Sequence, residues 1–153
     1  MSHIWLMKSE PEVFSIDDLQ KNKVTSWEGV RNYQARNMLR DEIHQGDRVL
    51  FYHSNCATPG IAGLAEVIRS GYPDDTAFDP NSPYFDPKSD APKPRWYRVD
   101  VKFIRKFPCI ITLYELRATF GLESMWVLRK GNRLSITPIS PQEYEIILQL
   151  VHP

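Results

Sequence analysis

The chain has 153 residues, 42% of them apolar and 12% aromatic, which fits one domain, residues 1–153, with a core of its own. Nineteen basic residues balance nineteen acidic ones, and this argues against a strong, non-specific grip on nucleic acid. No apolar run reaches the roughly 18 residues of a membrane span, the start lacks a signal-peptide pattern, and Cys56 and Cys109 suggest neither a disulfide framework nor a four-ligand zinc site. The expectation is a cytosolic chain, nuclear if its source is eukaryotic, with no cofactor, metal or membrane partner.

Residues 3–8 (HIWLMK) form a short apolar run stopped near Pro11 and read as a buried strand. Ser15, with Asp18 three residues on, opens a short helix, IDDLQK. Residues 24–26 read as a very short strand. Asn32 is the expected N-cap of a helix over 33–43, in which Ala35, Met38, Leu39 and Ile43 share one apolar stripe. Residues 47–53 (DRVLFYH) and 61–69 (IAGLAEVIR) predict an antiparallel hairpin, and Gly63 inside the second strand signals a bulge or a close approach. Residues 71–94 hold six prolines and read as a long irregular loop, a lid or a spacer. Residues 95–104 alternate: Tyr97, Val99, Val101 and Phe103 lie on one face, while Trp96 and Arg98 lie on the mostly polar other face. Thr112 and Glu115 form a capping box for LYELRAT. Residues 125–130 and 134–139, around Gly131-Asn132-Arg133, read as a last hairpin. Ser140, Pro141 and Glu143 open a terminal helix with the stripe Tyr144, Ile147, Leu148 and Val151. The sum is an α+β domain of five or six mostly antiparallel strands with short peripheral helices, and the short strands and glycine bend predict a curled sheet or small barrel.

The stretch with most chemistry is 25–37, TSWEGVRNYQARN. It reads as a loop feeding a helix N-terminus, where free backbone N–H groups collect. Trp27 offers a face on which a base can stack, and Asn32 and Gln34 offer donor and acceptor edges. The bland alternative stays open: Trp27 as a core anchor and the amides as caps. The cluster Lys93, Arg95, Arg98, Lys102, Arg105 and Lys106 could face phosphates or be a solvated face. Catalytic signals are weak. His53 and Cys56 make an H-x-x-C without further members, there is no nucleophile elbow, Walker loop or dinucleotide fingerprint, and only Glu10 and Glu28 suggest a carboxylate pair across a pocket.

WLMKSEP at 5–11, WEGVRNYQARN at 27–37, GDRVLFYHS at 46–54, GIAGLAEV at 60–67 and RLSITPIS at 133–140 together resemble the EVE domain, in order over essentially the whole chain. That family is PUA-like, a curled β-barrel related to YTH domains. It is regarded as binding modified bases in DNA or RNA, notably 5-methylcytosine and its oxidised forms, and has no established enzymatic activity. The resemblance implies a pocket for a flipped base. Lys8 and Ser9 would touch the base edge and Trp27 would belong to the aromatic cage. Val30, Arg31 and Asn32 would lie beside it. Tyr52, His53 and Ser54 would end a pocket-lining strand, and Trp96 would be a second aromatic wall. Arg36, Arg95 and Arg98 would hold phosphates. The rival readings are a small hydrolase or nucleotide-processing enzyme in the same pocket and a protein-interaction module.

Overall fold

The apolar run at the N-terminus becomes β1 (Ile4–Ser9), and it is buried on both faces. In the computed structural model, which describes residues 2–151, Trp5 and Met7 enter one core while Leu6 enters another. A strand covered on both sides has no need of polar alternation, hence the unbroken apolar reading of HIWLMK. β1 pairs in parallel with β3 (Arg48–His53) and antiparallel with β6 (Ile136–Ile139). β3 pairs antiparallel with β4 (Gly60–Pro73), β4 with β5 (Tyr97–Thr112), and β5 with β2 (Val24–Trp27). The sheet order is β2-β5-β4-β3-β1-β6. The architecture is therefore α+β around one mixed, six-stranded sheet. The expected barrel is not closed. β2 and β6 remain as separate edges, with no pairing between them among the described residues. Register shifts along β4 and β5 bend the strands without joining those edges.

Helices cover both faces. α1 (Ile16–Asn22) starts from the Ser15–Asp18 capping box, and α2 (Tyr33–Asn37) starts where the Asn32 side chain accepts from the Ala35 N–H at 3.0 Å. The helix expected to run to Ile43 widens into a π-helical turn, Met38–Glu42, with Ile43 N–H donating to the Met38 carbonyl. Its apolar stripe is buried as the spacing predicts. β4 lies directly on this turn: a Cβ added at Gly71 would stand 2.1 Å from the Leu39 carbonyl oxygen. Gly63 is a close approach as well, with the Arg105 carbonyl 2.4 Å from where its Cβ would be. On the opposite face lie α3 (Leu113–Ala118), Val127 and Leu128 of a 3-10 turn (Trp126–Leu128) and α4 (Pro141–Gln149), while Trp126 itself packs on the first core; α3 and α4 are each opened by the expected capping box.

Two expectations are corrected. Residues 125–130 and 134–139 do not pair as a hairpin; only Ile136–Ile139 is extended, and it adds to β1. Pairing there covers an edge of β1 that a local hairpin would leave bare. The loop placed at 71–94 is also shorter, because β4 continues through Pro73 and a 3-10 turn, Asp75–Phe78, follows.

Candidate functional site

A cavity of about 370 Å³ opens beside the ends of β1 and β2. It is lined by Lys8, Ser9, Glu10, Val13 and Phe14 from β1 and the turn after it, by Thr25, Ser26, Trp27 and Glu28 from β2 and its exit, and by Tyr84 from the 71–94 segment. Trp27 is only 8% exposed and meets Phe51 edge-on, with centroids 5.4 Å apart. Its indole N–H has no hydrogen-bond partner among the described residues. The turn is braced: Ser9 Oγ donates to the Phe14 carbonyl at 2.6 Å, and Val13 and Phe14 N–H both donate to the Glu10 carbonyl. Val13, at the rim, is 68% exposed, an apolar side chain left open to whatever enters.

Charge in the cavity is mixed. Glu10 accepts from Asn55 Nδ2 at 2.7 Å, and Glu28 accepts from Arg98 Nη1 at 2.8 Å. Lys8 has its pKa lowered by burial, and no carboxylate pairs with it among the described residues. An anion arriving there would relieve that penalty. At the floor, Ser26 Oγ and the Tyr72 hydroxyl both donate to Asp100 Oδ1, which fixes Ser26 from below.

The far wall is held by one buried carboxylate. Asp74 accepts from the Gly29 N–H at 2.9 Å, from Arg31 Nη1 at 3.1 Å and from the N–H and hydroxyl of Thr76. Burial alone would raise its pKa, but the bonds from Thr76, Gly29 and Arg31 outweigh it and hold the group below the usual carboxylate range. Arg31 in turn donates from Nη2 to the Tyr84 carbonyl at 2.6 Å and from Nη1 to the Val30 carbonyl at 3.0 Å. Gly29, at φ +81, is demanded twice over: its backbone is left-handed, and a Cβ there would fall 2.6 Å from the Tyr84 ring. The 71–94 segment is thus fastened against the 25–37 stretch, with Tyr84 as its contribution to the cavity.

The residues expected at a site therefore separate. Lys8, Ser9 and Trp27 come together on the cavity, and Glu10 and Glu28 join them. Val30 is buried in the core behind Trp27. Arg31 is a clasp, and Asn32 caps α2. Tyr52 lies in the opposite core, where burial raises its pKa, because successive residues of β3 face opposite sides of the sheet. His53 Nε2 accepts from the Ile16 N–H at the start of α1, and burial lowers its pKa, so the ring is held neutral. Ser54 closes the strand end through its N–H, donated to the Ser9 carbonyl. Trp96 lies outside the lining. It stacks on Tyr33 at 4.8 Å and donates its indole N–H to Asp86 Oδ2 at 2.7 Å. Arg36 donates to the Arg95 carbonyl, and Arg98 pairs with Glu28 and Asp75. Val13, Phe14, Ser26 and Tyr84 escape sequence reasoning. The only signal for Tyr84 is an aromatic in a proline- and aspartate-rich segment.

The EVE domain model matches residues 3–150. The chain belongs to the EVE domain family. Among curated relatives of this EVE domain, human thymocyte nuclear protein 1 is 45% identical over 168 aligned residues, covering 98% of this chain and 74% of that protein. Among solved structures, a hypothetical protein from Leishmania major superposes with a TM-score of 0.93 at 51% identity, covering 97% of this EVE domain and 94% of the other chain. Human THYN1 in complex with DNA containing 5-methylcytosine superposes with a TM-score of 0.90 at 45% identity, covering 99% of each chain. No helix among the described residues is long and apolar enough to cross a membrane.

Proposed function

We propose that this EVE domain binds, without catalysis, a modified base in DNA or RNA, 5-methylcytosine or an oxidised form of it, and that the base is seated in the cavity between Trp27 and Tyr84. The observation that carries the reading is the cavity itself: about 370 Å³, with three aromatic side chains, an unpaired indole N–H, hydroxyls and two carboxylates in its lining. It occurs in a fold that superposes over 99% of its length on a relative captured with 5-methylcytosine DNA. Taking a base out of its stack costs a few kcal/mol, and an aromatic contact returns roughly 1–3 kcal/mol. The carboxylates suit the amino group of cytosine as acceptors. The exposed Val13 and the neighbouring Phe14 suit a 5-methyl group, whose burial is worth on the order of 0.8 kcal/mol, so preference for the modification is modest. Lys8 and Ser9 meet the base edge in this reading, and Val30, Arg31, Asn32, His53 and Ser54 shape the pocket from behind. Against an enzyme stands the commitment of His53, whose Nε2 already holds the α1 N-terminus. The compartment implied is one that holds nucleic acid, the cytosol or a nucleus.

Fluorescence anisotropy at low salt tests this, with short DNA and RNA oligonucleotides bearing cytosine, 5-methylcytosine or 5-hydroxymethylcytosine. Tyr84→Ala removes one wall from a partly exposed position, and Trp27→Phe keeps the core filled while removing the indole N–H. Selective binding by the wild type that both variants lose supports the base pocket. Equal binding of every oligonucleotide, unchanged by either substitution, refutes it. Conversion of any oligonucleotide, read by mass, favours the enzyme.

A further inference from the structure

Two of the three arginines that the sequence offers for phosphate, Arg36 and Arg98, are occupied, while Arg95 is bonded through its backbone alone among the described residues. Arg98 lies between Glu28 and Asp75, and Arg36 is bonded to a backbone carbonyl. A phosphate there would have to displace a partner already in place. A different cation set has no acid or carbonyl to displace among the described residues. Residues 129–133, RKGNR, form a turn whose Arg129, Lys130 and Arg133 are exposed and make no ion pair among the described residues.

This turn is built rather than loose. Asn132 Nδ2 donates to the Trp126 carbonyl, Asn132 Oδ1 accepts from the Leu134 N–H at 3.0 Å, and Gly131 takes φ +77 with open space around it. Two links tie the turn to the cavity. The Lys8 N–H donates to the Ser135 carbonyl at 2.8 Å, two residues past Arg133, and Lys8 itself lines the cavity. Trp126 packs against the same core as Trp27 and Phe14, and the Arg129 guanidinium lies 4.9 Å from the Trp126 ring centre. Resting on the base-pocket reading, we propose that the 129–133 turn is the backbone grip of this domain: Arg129, Lys130 and Arg133 hold the phosphodiesters flanking the base in the cavity. A neutral chain can do this because a phosphate responds to the charge beside it rather than to the net charge of +0, and among the described residues no acid pairs with these three cations.

The test is the double reversal Lys130→Glu with Arg133→Glu, measured on duplex and single-stranded DNA carrying cytosine or 5-methylcytosine across a salt series. Lys21→Glu with Arg117→Glu is the charge-matched control, outside both turn and cavity. The turn variant is expected to bind all these DNAs about tenfold or more weakly at low salt, to lose about two units of salt slope, and to keep its ratio of methylated to unmethylated affinity. The control keeps its slope, and thermal melting shows both variants folded. A turn variant with wild-type affinity and slope overturns the grip while Tyr84→Ala still abolishes base preference. A wild type that binds none of these DNAs overturns the base pocket, and the grip with it.

Discussion

Trp27 and Trp96 flank the same pair of strands, one at the end of β2 and the other just before β5, yet they have opposite occupations. Trp27 leaves its indole N–H unpaired at a cavity, while Trp96 has its N–H on Asp86 and one face on Tyr33. Both are largely buried, so burial does not tell them apart. What differs is whether the polar atom and the ring faces are already used. The same distinction separates the cations: Arg31, Arg36 and Arg98 are bonded to internal acids or carbonyls, and among the described residues Arg129, Lys130 and Arg133 are not. A residue type nominates a binding role, and its unspent valence decides it.

The largest effect expected is at the hub between the two walls. Asp74→Ala leaves Arg31 without its carboxylate and orphans the Gly29 and Thr76 N–H groups. Breaking a buried pair from one side costs about 3 kcal/mol or more, to be read in denaturant unfolding. Base affinity falls with it, because Tyr84 is no longer held. A hub variant as stable as the wild type removes the clasp from the account.

Substituting the two tryptophans sharpens the contrast itself. Trp27→Phe is expected to weaken binding of 5-methylcytosine DNA by about tenfold, in line with one base contact, with little change in salt slope. Trp96→Phe loses the bond to Asp86, costs about 1 kcal/mol of stability, and leaves base affinity within about twofold. The reverse pattern in anisotropy and thermal melting would make Trp96 the base wall.

The smallest effect is a pH dependence. The His53 pKa is lowered in the folded state by burial, so the unfolded chain takes the proton more readily. Stability from this group is complete above about pH 6.5, the free value, and is lost as pH falls from there toward the folded value. Asp74, also lowered, adds its loss nearer pH 4. His53→Gln retains an acceptor for the Ile16 N–H and flattens the upper part of that slope; a variant with the wild-type slope excludes His53 as its source.

What the sequence determined by itself was local. Three capping boxes, the Asn32 cap, the buried stripe of α2 and its π turn, and the β3–β4 hairpin all follow from residues a few positions apart. The ordered motifs carried the family as well, and with it the expectation that Ser9 and Trp27 share one cavity. Only the tertiary structure decided the rest. β6 docks on β1 across more than a hundred residues, the sheet stays open, and Asp74 reaches back 45 positions to Gly29. Such pairings are chosen by which edge, carbonyl or charge lies free after everything nearer has bonded. Short-range periodicity holds no record of that, and so the place of Tyr84 in the cavity wall and the unpaired cations of the 129–133 turn became visible only in three dimensions.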